Sequence, residues 1–219
     1  MKEIVINILD APENPSKAIE FEARVCYNSQ EKQTDESWKK FVTGLLKSGH
    51  HPCLEMIDVK VMIKGCSRIT QQQMTRHRHN SFLIESQRAV TNFSYVTPIT
   101  FNESQRDLYN SAVESSIKAY QLLRIDGVKK EDCRYVLPQG VAGDIIKKCN
   151  IRQWRHEFTE RFDPSAQWEI KRVYCAIFQE ILAINDEYAL LLEDLIPLHD
   201  KAVEFVNDRR NKEHFMEVI

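Results

Sequence analysis

The sequence predicts an α+β fold, rich in helix with a small mixed or antiparallel sheet, on three observations. Apolar residues recur at helical spacing in several segments, short segments alternate as strands do, and the two kinds do not follow one another in a regular βαβ order. The chain has 219 residues, and neither composition shift nor low-complexity tract marks a linker, so one domain over 1–219 is expected, with 196–219 as a peripheral helix or tail. Hydrophobic residues make up 42% and charged residues 28%, with a formal net charge of −2. That balance gives bulk electrostatics no reason to draw a nucleic acid or a membrane, so any cationic site has to be local. The N-terminus, MKEIVINILDAPEN, lacks a long apolar run, and no segment reaches the roughly 20 apolar residues needed to cross a bilayer. A cytoplasmic location is expected.

Taken in order, Glu3 to Leu9 alternates weakly around Val5 and Ile8 and reads as a short strand. Asn14-Pro15 reads as a helix cap followed by proline at the first helical position, opening a helix through Cys26. From Thr34 to Ser48 the stripe Trp38, Phe41, Val42, Leu45 and Leu46 predicts an amphipathic helix, with Asp35 and Glu36 near its start and Lys47 and Gly49 at its end. Val59, Val61 and Ile63 alternate with Lys60, Met62 and Lys64, which predicts a strand, and Ser67 then caps a short helix to about Thr75. Phe82 to Ile84 reads as a partly buried strand. Asn102 caps a long helix that runs until Gly127. A further helix spans Ile151 to Phe162; Asp163-Pro164 ends it and caps the next, on which Ile170, Val173, Ile177, Ile181 and Ile184 share a face. Six cysteines without a C-x-x-C pair read as free thiols packed as small hydrophobes.

The stretch RHRHNSFLIES, residues 76–86, concentrates positive charge. No Asp or Glu occurs between Val59 and Ile84, although acids make up 32 of the 219 residues, and Lys60, Lys64, Arg68, Arg76 and Arg78 all lie in that window. The plain reading is a solvated basic loop paired with acids elsewhere. Against it, cations beside a partly buried strand need anionic partners, because unpaired charge is costly to desolvate. Arginine's planar fork suits phosphate, Gln71, Gln72 and Gln73 offer amides beside it, and Arg134, Arg152, Arg155 and Arg161 supply more cations downstream. His77 and His79 have no further ligands at workable spacing, so no metal is expected. Neither a dinucleotide-binding glycine turn nor a P-loop is present, which leaves phosphate to side chains.

Arg76-His77-Arg78, seven residues, then Ser86 resembles the signature of the flavin-dependent thymidylate synthases. The resemblance extends to Gln73 and Arg88 around it, to GHHPCLE (49–55) upstream, and downstream to RYVLP (134–138), Asn150-x-Arg152 and RFDPSAQWEI (161–170). It covers most of the chain to about residue 195. It implies that family's fold and a homotetramer whose active sites lie at subunit interfaces. FAD would be contacted by Arg76, His77, Arg78, Glu55, Asn150, Arg152 and His156, and dUMP by Gln73, Ser86, Arg88, Arg134 and Arg161.

The implied reaction is reductive methylation of dUMP to dTMP, with carbon from methylenetetrahydrofolate and hydride from FAD reduced by NADPH. Arg161 would favour negative charge on the uracil, and Ser86 would bind and position rather than attack. Cys53, followed by Leu54, lacks an activating neighbour, unlike the nucleophile of the other class of thymidylate synthase. On a helix Arg152 and His156 share a face while Arg161 points the opposite way. The chain departs from the family pattern at Leu83, Ile84, Ala89 and Met56, and Glu85 stands one residue from the expected acid, which on a strand turns it to the other face. A flavin- and nucleotide-binding homologue with altered or no turnover is the alternative, and a nucleic-acid module on residues 59–84 is a weaker one.

Overall fold

Antiparallel pairing in the order β1-β2-β4-β3 makes one four-stranded sheet. In the computed structural model, which describes residues 4–211 with 209–211 by backbone alone, β1 is Val5–Asp10 and β2 Asp58–Ser67. β3 is Ser81–Ile84 and β4 Ala142–Asn150. Val59, Val61 and Ile63 are fully buried on one face of β2, as their alternation predicts, while Lys60, Met62 and Lys64 remain more open on the other. β1 corrects the expected alternation: Ile6 is buried and Ile8 packs against the core, whereas Val5 is 43% exposed. Glu3, taken as the start of that strand, lies outside the described residues.

The helices α1 Pro15–Val25, α2 Ser37–Lys47 and α3 Arg68–Met74 appear where expected. Pro15 takes the first turn of α1, but the Asn14 side chain makes no capping bond. Val42 of α2 is fully buried with Phe41, Leu45 and Leu46 packed beside it, and Gly49 closes the segment at φ +71°, a conformation open chiefly to glycine. α4, Glu103–Ile125, opens on a capping box in which the Asn102 carbonyl oxygen of the side chain accepts from Gln105 N–H and the Gln105 side chain answers at Asn102 N–H. Of Leu108, Tyr109, Ala112, Val113, Ile117, Tyr120 and Leu123, which recur at helical spacing, only Val113 and Tyr120 are buried, and Leu108 is 74% exposed. One chain alone does not cover this helix.

After the short α5, Lys130–Cys133, β4 leads into α6, Ile151–Phe162, whose bounds match the expectation and whose cap is Asn150 accepting from Gln153 N–H at 2.8 Å. Asp163 ends α6 but does not cap the next helix; it accepts from the backbone and hydroxyl of Ser165, and Gln167 caps α7, Trp168–Leu182. Ile170, Val173, Ile177 and Ile181 of α7 are fully buried, and Ile184 lies past its end. α8, Asp186–Leu192, and α9, Ile196–Asn211, complete the layer on the sheet. Neither β4 nor α8 has a counterpart among the predicted elements. The expected peripheral tail is corrected in part: the His199 ring of α9 stacks on Phe178 at 4.9 Å and Ala202 is buried, while 212–219 lie outside the described residues.

Phe82 is half-buried, but Leu83 is 71% exposed, so β3 is more open than its composition suggests. All six cysteines are free. The junction of β2 and α3 is fixed by a buried carboxylate: Glu169 accepts from Ser67 N–H at 2.7 Å and from the Ser67 hydroxyl at 2.6 Å, while that same Oγ accepts from Thr70 N–H at 3.2 Å. Glu169→Ala would leave a buried N–H without an acceptor, and it should lower unfolding free energy on the order of 2–3 kcal/mol with an unchanged m-value in urea.

Candidate functional site

α3 carries charge at both ends and divides it between two places. Arg68, Gln71, Gln72 and Thr75, on one face, line a cleft of about 420 Å³ whose other wall includes Glu85, Ser86 and Arg134. Arg68 donates to Gln71 Oε1 at 2.8 Å and to the Glu85 carbonyl at 2.7 Å, and its Nε is buried without a partner. Arg68 belonged to the predicted cationic window but not to the predicted ligand set; the signal available was its place at the head of the helix leading into the motif. The Ser86 hydroxyl oxygen accepts from Arg88 N–H at 3.2 Å, which leaves its own proton free to donate. Arg88 itself turns to Glu131 at 2.6 Å, an exposed pair of small energetic weight. Arg134 donates through Nε to the Glu131 carbonyl at 3.2 Å.

Of the positions that depart from the family pattern, only Ile84 lines this cleft. Glu85 lines it too, because β3 has ended at Ile84 and strand alternation no longer sets the direction of the next side chain.

The second place lies past the other end of α3. Arg161, on α6, donates through Nε and Nη2 to His77 Nε2 at 3.0 and 2.9 Å, and Nη2 also reaches the Gln73 carbonyl at 3.4 Å. A guanidinium only donates, so His77 Nε2 accepts and the ring is neutral with its proton on Nδ1. Burial pulls the imidazole below its ordinary value; Glu157 opposes this, and Arg161, Lys147 and His156 add to it. Gln73, grouped with Ser86 by resemblance, meets Arg161 through its backbone instead.

The remaining predicted residues surround this second cluster unevenly. Arg76 and Arg78 are exposed and form no ion pair or side-chain hydrogen bond among the described residues. His156 is exposed, its ring 6.4 Å from that of His77. Arg152 pairs with Glu55 on the opposite side of α6 from Arg161, as helical spacing requires. Arg155, by contrast, is engaged in structure, donating twice to Asp194 at 2.7 and 2.6 Å. The Asn150 side chain caps α6. Cys53 is buried, which pushes its thiol up and away from the nucleophilic form, and its Sγ–H donates to the His50 carbonyl at 3.3 Å. Among the described residues no group of three or more His, Cys, Asp or Glu side chains is arranged for a metal, and no helix is long and apolar enough to cross a membrane.

Because the folded His77 titrates below the unfolded value of 6.5, the unfolded chain takes up that proton first as pH falls. Stability is therefore complete above 6.5 and declines as pH drops through the lower folded value. His77→Gln, which keeps an acceptor for Arg161, should flatten urea midpoints measured from pH 7 towards 5.

The family model described as thymidylate synthase complementing protein matches residues 7–184. The flavin-dependent thymidylate synthase of Geobacter sulfurreducens is 34% identical over 178 residues, covering 76% of this chain and 77% of that protein. That of Pyrococcus abyssi is 30% identical over 191 residues, covering 80% and 78%, and that of Pyrococcus furiosus 29% over 196, covering 83% and 80%. With the motif cations grouped around α3 and a match that spans most of the fold, the chain belongs to the thymidylate synthase complementing protein family, that of the flavin-dependent thymidylate synthases.

Proposed function

We propose that this chain is a flavin-dependent thymidylate synthase that methylates dUMP to dTMP. The observation that carries the reading is the set of unneutralised guanidiniums: Arg76 and Arg78 stand exposed without ion-pair partners among the described residues, beside the Arg161–His77 pair, while Arg68 and Arg134 share a cleft with Ser86. Cations left free in a chain that pairs Arg24, Arg88, Arg152 and Arg155 with carboxylates point to anionic ligands.

The residues fit FAD by their chemistry. Arg76 and Arg78 suit a diphosphate, the exposed His156 ring stands 6.4 Å from that of His77 between them, and Asn150, Arg152 and Glu55 would extend the contact from the start of α6. Reduced FAD, when bound, supplies hydride; NADPH and methylenetetrahydrofolate are the matching reductant and carbon donor. The cleft suits dUMP, with Arg68 and Arg134 for the phosphate and the Ser86 hydroxyl as a donor, and Arg88 would join them only on leaving Glu131. Ser86 makes no hydrogen bond to a histidine or carboxylate among the described residues, which favours positioning over nucleophilic attack. Arg161 stays protonated and is held by a neutral acceptor, so its charge remains available to a uracil that gains electron density.

Arg161 and the Ser86 cleft are separate on one chain, and α4 leaves Leu108, Leu122 and Ile125 exposed. Both features support a homotetramer in which cleft and Arg161 cluster come from different subunits. Light scattering should give a mass of four chains; a monomer with full turnover would exclude shared sites. Arg161→Ala should slow tritium release from C5-labelled dUMP by about a hundredfold or more while flavin absorbance persists, and full turnover in that variant would refute its role.

A further inference from the structure

Beneath the Arg76–Asn80 turn lies a fully buried carboxylate that no role above uses. Glu157 Oε1 accepts from Asn80 Nδ2 at 2.7 Å and from Gln153 Nε2 at 2.8 Å. Its Oε2 accepts from the Tyr174 hydroxyl in a short bond and from Lys147 Nζ at 2.9 Å, and lies 3.9 Å from His77 Nε2. The last of these is electrostatic only, since Arg161 already occupies the lone pair of that nitrogen. Lys147, itself fully buried on β4, lies 3.5 Å over the Trp154 ring and serves as counter-ion. Burial alone would push the Glu157 carboxyl up; Lys147, then the Tyr174 and Gln153 bonds, bring it below the ordinary value, so the group is an anion.

Glu157 and Arg161 are four residues apart on α6 and share a face, so the helix fixes an anion and a cation one turn apart. The turn bridges them. Asn80 holds to the anion, and the same amide also donates to the His77 carbonyl at 3.2 Å; the His77 ring holds to the cation. Arg76 and Arg78, on either side of His77, are aimed by that double attachment. We propose that Glu157 is a positioning residue for the flavin and nucleotide site, acting through Asn80 and His77 to set the Arg76–Arg78 segment and Arg161. The assignment of a flavin to this segment rests on the proposed function; the attachment of the turn does not.

Three variants of the full-length protein separate positioning from simple stability. Glu157→Gln offers one acceptor and a competing donor to four donors, and Asn80→Ala removes both the link between carboxylate and turn and the amide's bond to the His77 carbonyl. Tyr174→Phe removes a donor to the same carboxylate while keeping the ring that lies 6.3 Å from that of His77. FAD titrations followed by visible absorbance should show Kd raised about tenfold in Glu157→Gln and Asn80→Ala and unchanged in Tyr174→Phe, whatever the loss in Tm. The ring ¹⁵N spectrum of His77 should show an accepting Nε2 in the wild type and Tyr174→Phe, moving towards an unbonded imine nitrogen in the other two. Kd that simply follows Tm across the three, or an Asn80→Ala variant with wild-type FAD affinity and His77 shifts, would overturn the assignment. Failure of the wild type to bind FAD would remove the flavin reading, while the His77 spectra would still decide the role of Glu157.

Discussion

Four donors from four parts of the chain converge on the Glu157 carboxylate, and the region around Arg161 takes its shape from that convergence. A buried unpaired carboxylate costs several kcal/mol, on the order of the stability of a small domain, so the strand that brings Lys147, the helix that brings Tyr174 and the turn that brings Asn80 all have to arrive together. Such a pair is not an efficient way to hold a core; an apolar substitute of like volume is often as stable. Its consequence here is directional. It ties β4, α6, α7 and the 77–80 turn to one point, and leaves Arg161 facing a neutral acceptor rather than a carboxylate.

The same handling of charge runs through the rest of α3. Its start is held by Glu169 through Ser67, and its far end by Arg161 through Gln73 and His77. Neither attachment neutralises Arg68, Arg76 or Arg78, because Glu169 is satisfied by an N–H and a hydroxyl, and Arg161 by a carbonyl and an imidazole. Where an arginine serves the fold, it is paired: Arg155 with Asp194, Arg24 with Glu20. Arg88 and Arg152 are paired too, with Glu131 and Glu55, but on half-exposed or exposed sites where such a pair carries little energy, so burial together with pairing sets Arg24 and Arg155 apart.

Much of the architecture was legible because burial and period agreed. Val59, Val61 and Ile63 alternate and all lie inward; the cap at Ser67, the capping box at Asn102 and the bounds of α6 follow local rules that tertiary contacts did not override. β4 was hidden for the opposite reason. Its run Ile145, Ile146, Lys147, Lys148 places a lysine where a core residue belongs, and nothing local reveals that a glutamate ten residues later will compensate it. α9 looked like part of a solvated tail because the last twenty residues are highly charged, yet His199 and Ala202 help to seat it on α6 and α7. Among the candidate residues, Arg161, Ser86 and the Arg76–Arg78 segment were proposed from the motif and Arg68 lay in the cationic window, whereas Glu157 matches no pattern that a single sequence displays.

The sequence by itself determined most of the element types, β4 and α8 excepted, the concentration of cations around α3, and the resemblance that its motifs carry, since each depends on residues close in the chain or on fixed spacing. The tertiary structure alone decided which cations are free, that Gln73 meets Arg161 through its backbone, and that His77 is a neutral acceptor held between a buried anion and an arginine. Those outcomes depend on desolvation and on distances between residues some 80 positions apart, and a linear chain carries no record of either until it has folded.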